Sequence, residues 1–156
     1  MARERHESPP ILRSCRVPYI VRSTPIADRQ IAGLRAARRK AYDLFEEALA
    51  RQGCAALGYR LTGDEPLASL CVKHLRGNDR VVVTFSGHEA WVLLVGPHIV
   101  GEAADDVYTA LYELAGVPRP TQPRTKPPCC DENQVPPTLD QAVIDDLVTR
   151  GRALRH

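Results

Sequence analysis

Three short apolar runs separated by glycine turns constrain this chain more than anything else in it. Residues 67–76 (LASLCVKHLR), 80–86 (RVVVTFS) and 90–96 (AWVLLVG) are rich in Val, Leu and aromatic side chains. Gly77, Asn78 and Asp79 stand between the first two, and Gly87, His88 and Glu89 between the next two. β-Branched and aromatic residues suit a pleated surface, and Gly and Asn supply turn conformations. The stretch therefore predicts three consecutive strands joined by hairpin turns. The second and third runs leave no wet face, so the sheet is expected to be covered on at least one side. Lys73, His74, Arg76, Arg80, His88 and His98 gather at the strand ends, the only place where chemistry is expected.

The flanking sequence supplies the cover. Residues 17–24 (VPYIVRST) read as a first strand. Thr24 before Pro25 fits a helix N-cap followed by proline at the first helical position, and Asp28 falls where the helix dipole favours an acid. Ile31, Leu34, Ala41, Leu44, Phe45 and Ala48 then recur at three- and four-residue spacing as far as about Gln52. Gly33 inside this pattern leaves one long helix or a helical hairpin open, and Gly53 is the stop signal. Residues 55–63 are a short extended segment. Residues 104–115 form a helix closed by Gly116. Proline is dense from 118 to 137, where apolar periodicity is lost, which predicts a linker. A last amphipathic helix over 139–154, capped by Thr138, is too short to stand alone in water. It must dock on the domain or on another chain. The expected organisation is a flexible arm (1–16), one α+β domain (17–117), a linker (118–137) and a C-terminal helix (138–156).

A chain of 156 residues, 44% hydrophobic, suits one domain with a true core. The net charge of +2 is small, but Arg35, Arg38, Arg39 and Lys40 form a basic run able to meet phosphates. No run approaches the length of a membrane span, and no apolar leader core is visible, so a cytoplasmic chain is expected. The five cysteines, Cys15, Cys54, Cys71, Cys129 and Cys130, lack metal-ligand spacing. They are expected as free thiols, with no metal and no cofactor.

Four segments in order resemble the RelE/ParE toxin superfamily. Residues 19–31 (YIVRSTPIADRQI) resemble its opening strand and proline-started helix, and 57–63 (LGYRLTG) the segment before its sheet. Residues 70–85 (LCVKHLRGNDRVVVTF) resemble its central hairpin. Residues 92–98, followed by Asp106, Val107 and Tyr108, resemble its last strand and ending. The likeness covers roughly 17–115; the arm, the linker and the terminal helix lie outside the family pattern. The resemblance implies a RelE-like α+β fold, with an N-terminal strand and helical hairpin on a small, mostly antiparallel sheet. It implies the toxin of a type II toxin–antitoxin pair, whose cognate antitoxin covers a basic cleft. RelE-like members enter the ribosome and cut mRNA without a metal, whereas ParE-like members poison gyrase without cutting. A RelE-fold interaction module without toxicity is the third reading, and the terminal helix could serve it as a cap or as a homodimer contact.

Metal-free RNA cleavage requires deprotonation of the 2′-hydroxyl, stabilisation of the phosphate and protonation of the leaving oxygen. On the first hairpin strand, alternation puts His74 with Arg76 and Lys73 with Leu75. The resemblance favours the His74 and Arg76 side, with Lys73 secondary. Arg80 matches the family arginine and is expected to clamp the phosphate. His98 is expected to act as general acid or base. Tyr108 is expected to stack on a base or assist proton transfer. Arg35, Arg38 and Arg39 are expected to bind RNA backbone.

Overall fold

The computed structural model of the protein describes residues 18–101, 104–121 and 125–154. The expected arm, with Cys15, lies outside the described residues. The elements run β1 (Ile20–Ser23), α1 (Pro25–Ala32), α2 (Ala36–Gln52), β2 (Tyr59–Arg60), β3 (Cys71–His74), β4 (Asp79–Ser86), β5 (Glu89–Pro97), α3 (Val107–Ala115) and α4 (Gln141–Ala153). The strands form one mixed sheet in the order β1-β5-β4-β3-β2. Among the described strands, β1 and β5 pair in parallel and the other pairs are antiparallel.

The helical stretch after β1 is a hairpin. Thr24 Oγ1 accepts from the Ala27 N–H at 3.1 Å, Pro25 opens α1, and α1 ends at Gly33. The same hydroxyl donates to the Leu93 carbonyl at 2.8 Å, which ties the helix start to the sheet. β1 pairs with β5 only as far as Val92. Beyond that point α1 lies along β5, and Gln30 Oε1 accepts from the Val95 N–H at 2.8 Å. A helix thus closes an edge that would otherwise offer unpaired backbone groups.

The first run of the three-strand unit is shorter than its composition suggested. Leu67–Ser69 winds into a 3₁₀ turn, so the strand begins at Cys71 and ends at His74. Arg76 therefore stands in the β3–β4 turn rather than on a strand face. β4 and β5 carry the core on both faces. Cys71, Val81, Val83, Phe85, Ala90 and Val92 pack with Tyr42, Phe45 and Leu49 of the helical hairpin. Val72, Val82, Leu93 and Leu94 pack with Tyr108, Leu111 and Leu114 of α3 and with Leu147 of α4. A bulge in the β4–β5 ladder beside Val82 and Val83 makes Leu93 the extra residue, so Leu93 and Leu94 both belong to the α3 side.

The cysteines correct the expectation of free thiols. Cys54 is bonded to Cys130 and Cys71 to Cys129. Metal-ligand spacing was the wrong test, because two adjacent cysteines can each reach a different element. The bridges span separations of 76 and 58 residues. In the chain-entropy view, closing loops of that size is worth about 4 kcal/mol each, and less than the sum because the loops overlap.

The proline-dense segment is consequently a strap. The Pro127 carbonyl accepts from the Arg60 N–H at 2.8 Å, on the outer side of β2. Cys129 then packs under the hairpin side of the sheet. Asp131 Oδ1 closes a turn by accepting from the Asn133 and Val135 amides. The strap then returns to the sheet, where Thr138 bridges to Phe85 and the Leu139 N–H donates to the Phe85 carbonyl. Thr138 was expected as a helix cap; Asp140 holds that position instead. α4 docks on its own domain, with Ile144 and Leu147 buried. Gly151 permits this approach, because a Cβ there would meet Ile26 Cγ2 and Leu114 Cδ1, each at 3.3 Å.

Candidate functional site

The site forms at the end of the sheet where β3 and β4 turn and β5 runs out toward α3. Asp106 is its anchor. As the N-cap of α3 it accepts from the Thr109 N–H through Oδ2 at 3.1 Å. Its Oδ1 accepts from the Ile99 N–H and from His98 Nδ1, both at 2.8 Å. Burial pushes this carboxyl's pKa up, but the hydrogen bonds from His98, Ile99 and Thr109, with the nearby imidazole charge, outweigh it and hold the group below its ordinary value. A buried carboxylate therefore fixes the imidazole by Nδ1. Nε2 is the nitrogen left to exchange a proton with substrate. The side chain of His98 is 38% exposed, so it is fixed yet reachable.

Two tyrosines continue the row. The His98 ring meets Tyr108 edge-on, with centroids 4.9 Å apart. The hydroxyl of Tyr108 lies 2.6 Å from that of Tyr59. Tyr59 reaches α3 because it pairs with Val72 on β3, which puts it on the α3 side of the sheet.

The other expected residues sort by strand register. His74 pairs with Arg80, and Arg80 with Gly96. All three are therefore in register with Val72, Val82 and Leu94, on the face that carries Tyr108. The His98 N–H donates to the Asn78 carbonyl at 2.7 Å, so the β3–β4 turn and His98 sit side by side. His74 Nε2 is hydrogen-bonded to the Gly77 carbonyl within that turn, and Arg76 is exposed in it. Lys73 pairs with Val81 and faces the hairpin side, away from Tyr108. His88 lies in the opposite turn, where its carbonyl accepts from the Ile20 N–H.

The arginines of the helical hairpin reach the same end of the sheet from the other face. Arg38 forms a two-pronged pair with Asp79, through Nε and Nη2, both at 2.7 Å. Asp79 is buried, and its charge-assisted bonds hold the Arg38 pKa above its ordinary value against the effect of burial. Two of this guanidinium's five N–H donors are thus spent on Asp79 within the fold. Arg39 pairs with Asp43 at 3.0 Å on the helix surface, and Arg35 holds the N-cap position of α2. Between this corner and the start of α3 lies a cleft of about 310 Å³, bordered by Arg29, Arg38, Gly96, Pro97 and Val107.

The structure brings His98 and Tyr108, both named from the sequence, together with Asp106 and Tyr59, to which sequence reasoning gave no role. Asp106 carried a usable signal, since an aspartate immediately before an apolar helical run is a capping residue. Tyr59 carried none, because its role depends on the β2–β3 register. Among the described residues no cluster of His, Cys, Asp and Glu is arranged to hold a metal. No helix among them is long and apolar enough to cross a membrane. No family model matches the chain, and no curated protein is similar to it at a significant level.

Proposed function

We propose that the protein is a metal-independent endoribonuclease of RelE type, the toxin of a toxin–antitoxin pair, which cuts mRNA on the ribosome. The observation that carries this reading is the Asp106–His98–Tyr108–Tyr59 row. His98, held through Nδ1 by a buried carboxylate, takes the proton from the 2′-hydroxyl at Nε2. The freed oxygen attacks the adjacent phosphorus. The linked tyrosine hydroxyls return a proton to the departing 5′-oxygen, and Arg80 meets the non-bridging phosphate oxygens. The products are a 2′,3′-cyclic phosphate and a 5′-hydroxyl. His74 and Arg76 extend the positive face along the RNA, and Arg35 and the hairpin arginines border it. A buried carboxylate orienting an exposed imidazole is more than a pure binding surface requires, which favours cleavage over gyrase binding.

The disulfides bear on where the chain works. Such bridges persist in oxidising surroundings, so they count against the cytoplasmic location expected from the sequence. The RNA substrate is proposed on the strength of the Asp106-held His98 beside Arg80. The ribosome and the antitoxin follow from the resemblance.

The test is cleavage of mRNA by the purified oxidised protein, on translating ribosomes and in free solution, with chelator present. Wild type should give discrete cuts ending in a cyclic phosphate, and His98→Ala with Arg80→Ala should abolish them. No cuts in either setting, with growth arrest on expression, transfers the proposal to a binding target such as gyrase. Neither cuts nor arrest leaves an interaction module.

A further inference from the structure

The strap brings a cation to the tyrosine row. Lys126 Nζ lies 5.1 Å from the centre of the Tyr59 ring, on the ring whose hydroxyl meets Tyr108. Lys126 is exposed, so its ammonium rests on an aromatic face while remaining open to an anion. The next residue, Pro127, is held to β2 through Arg60, and the strap is then bonded at Cys129 and Cys130. Three attachments within five residues fix this cation. Two of them are reducible.

We propose that residues 125–139 are a redox-dependent clamp that delivers Lys126 to the tyrosine row as a phosphate-contacting residue. This rests on the endoribonuclease reading for the substrate, but not for the clamp. Cys54, Cys129 and Cys130 all line an open cleft of about 740 Å³, but Cys71 and Cys129 are buried whereas Cys130 is partly exposed. A dithiol reductant therefore meets the Cys54–Cys130 bridge first. Its thiolate attacks Cys130 Sγ and displaces the Cys54 thiolate, which takes up a proton. The reductant's second thiol then closes its own disulfide and releases Cys130 as a thiol. Repetition at Cys71–Cys129 consumes a second dithiol, and each bridge takes two electrons and two protons. With both open, the strap keeps only the hydrogen bonds at Arg60 and Phe85 and the packing of a few small or end-placed side chains such as Cys129 and Leu139, too little to hold an extended segment in water.

Two measurements on the full chain separate the clamp from the chemistry. Amide hydrogen exchange is followed by NMR in the oxidised chain and after treatment with dithiothreitol. The clamp predicts that protection at the Arg60 and Leu139 amides collapses on reduction, while Val82 and Leu94 in the central ladder stay protected. Retained protection at Arg60 and Leu139 overturns it, and so does loss of the ladder with them, which would make the bridges simple staples of the whole fold. The second measurement compares RNA cleavage by oxidised chain, reduced chain and Lys126→Ala, with Lys126→Arg as the conservative rescue. Reduction and Lys126→Ala should each lower kcat/KM by about tenfold or more, and Lys126→Arg should retain most of it. Cleavage that rises on reduction overturns the delivery of Lys126 and makes the strap a cover. If oxidised wild type cuts no RNA at all, the function fails while the exchange result still stands.

Discussion

His98 Nδ1 sits 2.8 Å from a carboxylate oxygen of Asp106 that is itself buried and caps the helix carrying Tyr108. One carboxylate thus starts α3 and sets the direction of the imidazole. Asp106→Asn preserves a good N-cap residue but removes the charge. The fold should survive, and RNA cleavage should fall between about tenfold and 100-fold, the share expected of one positioned acid–base group. Circular dichroism together with single-turnover cleavage checks both halves.

The same carboxylate makes stability depend on pH. Its pKa is lower in the folded chain than the ordinary 3.8. The unfolded chain therefore binds the proton more readily, and the stabilisation is fully present above that ordinary value. It is lost as pH falls through the lower folded pKa. Wild type should lose stability below about pH 4 more steeply than Asp106→Asn, measured by denaturant midpoints across the acid range.

Tyr59 and Tyr108 share one hydroxyl–hydroxyl bond. Tyr59→Phe and Tyr108→Phe should each cost about 1 kcal/mol, and the double variant should cost less than their sum, because one bond is removed in all three. A double-mutant cycle by urea denaturation reads the coupling.

Arg38→Ala leaves the buried Asp79 without its two-pronged partner. The expected loss is about 3 kcal/mol of stability, so a fall in RNA binding by that variant would report unfolding as much as lost contact. Arg35→Ala should leave stability unchanged within about 0.5 kcal/mol and is the cleaner probe of the basic corner.

Gly151→Ala places a methyl group 3.3 Å from Ile26 and Leu114, both fully buried. Overpacking costs about 1–3 kcal/mol, which exceeds the gain of up to about 1 kcal/mol in helix propensity. A fall in thermal midpoint is expected; a rise would mean that α4 shifts freely on the domain.

Much of the architecture was legible wherever local chemistry decides it. Thr24 with Pro25 announced α1, and the glycine turns at 77 and 87 announced the β4 and β5 hairpins. The run over 67–76 read as longer than its strand because leucine composition does not distinguish a 3₁₀ turn from an extended chain. His98 and Tyr108 were visible as residue types. Their joining to Asp106 and Tyr59 depends on register and on a helix start, which are properties of the folded sheet. The strap was the largest miss. Dense proline and lost periodicity describe the local chain correctly, yet its place is set by two bridges to residues 58 and 76 positions away. Nothing local to residues 118–137 encodes that.

The route of the strap also dictates an order of assembly. It touches the outer side of β2, then the hairpin face of the sheet, then β4 at Phe85, before α4 settles on α1 and α3. Each landing point belongs to an element made earlier in the chain. During synthesis the strap and α4 emerge after every partner they land on, and they close over them like a band drawn around a finished parcel.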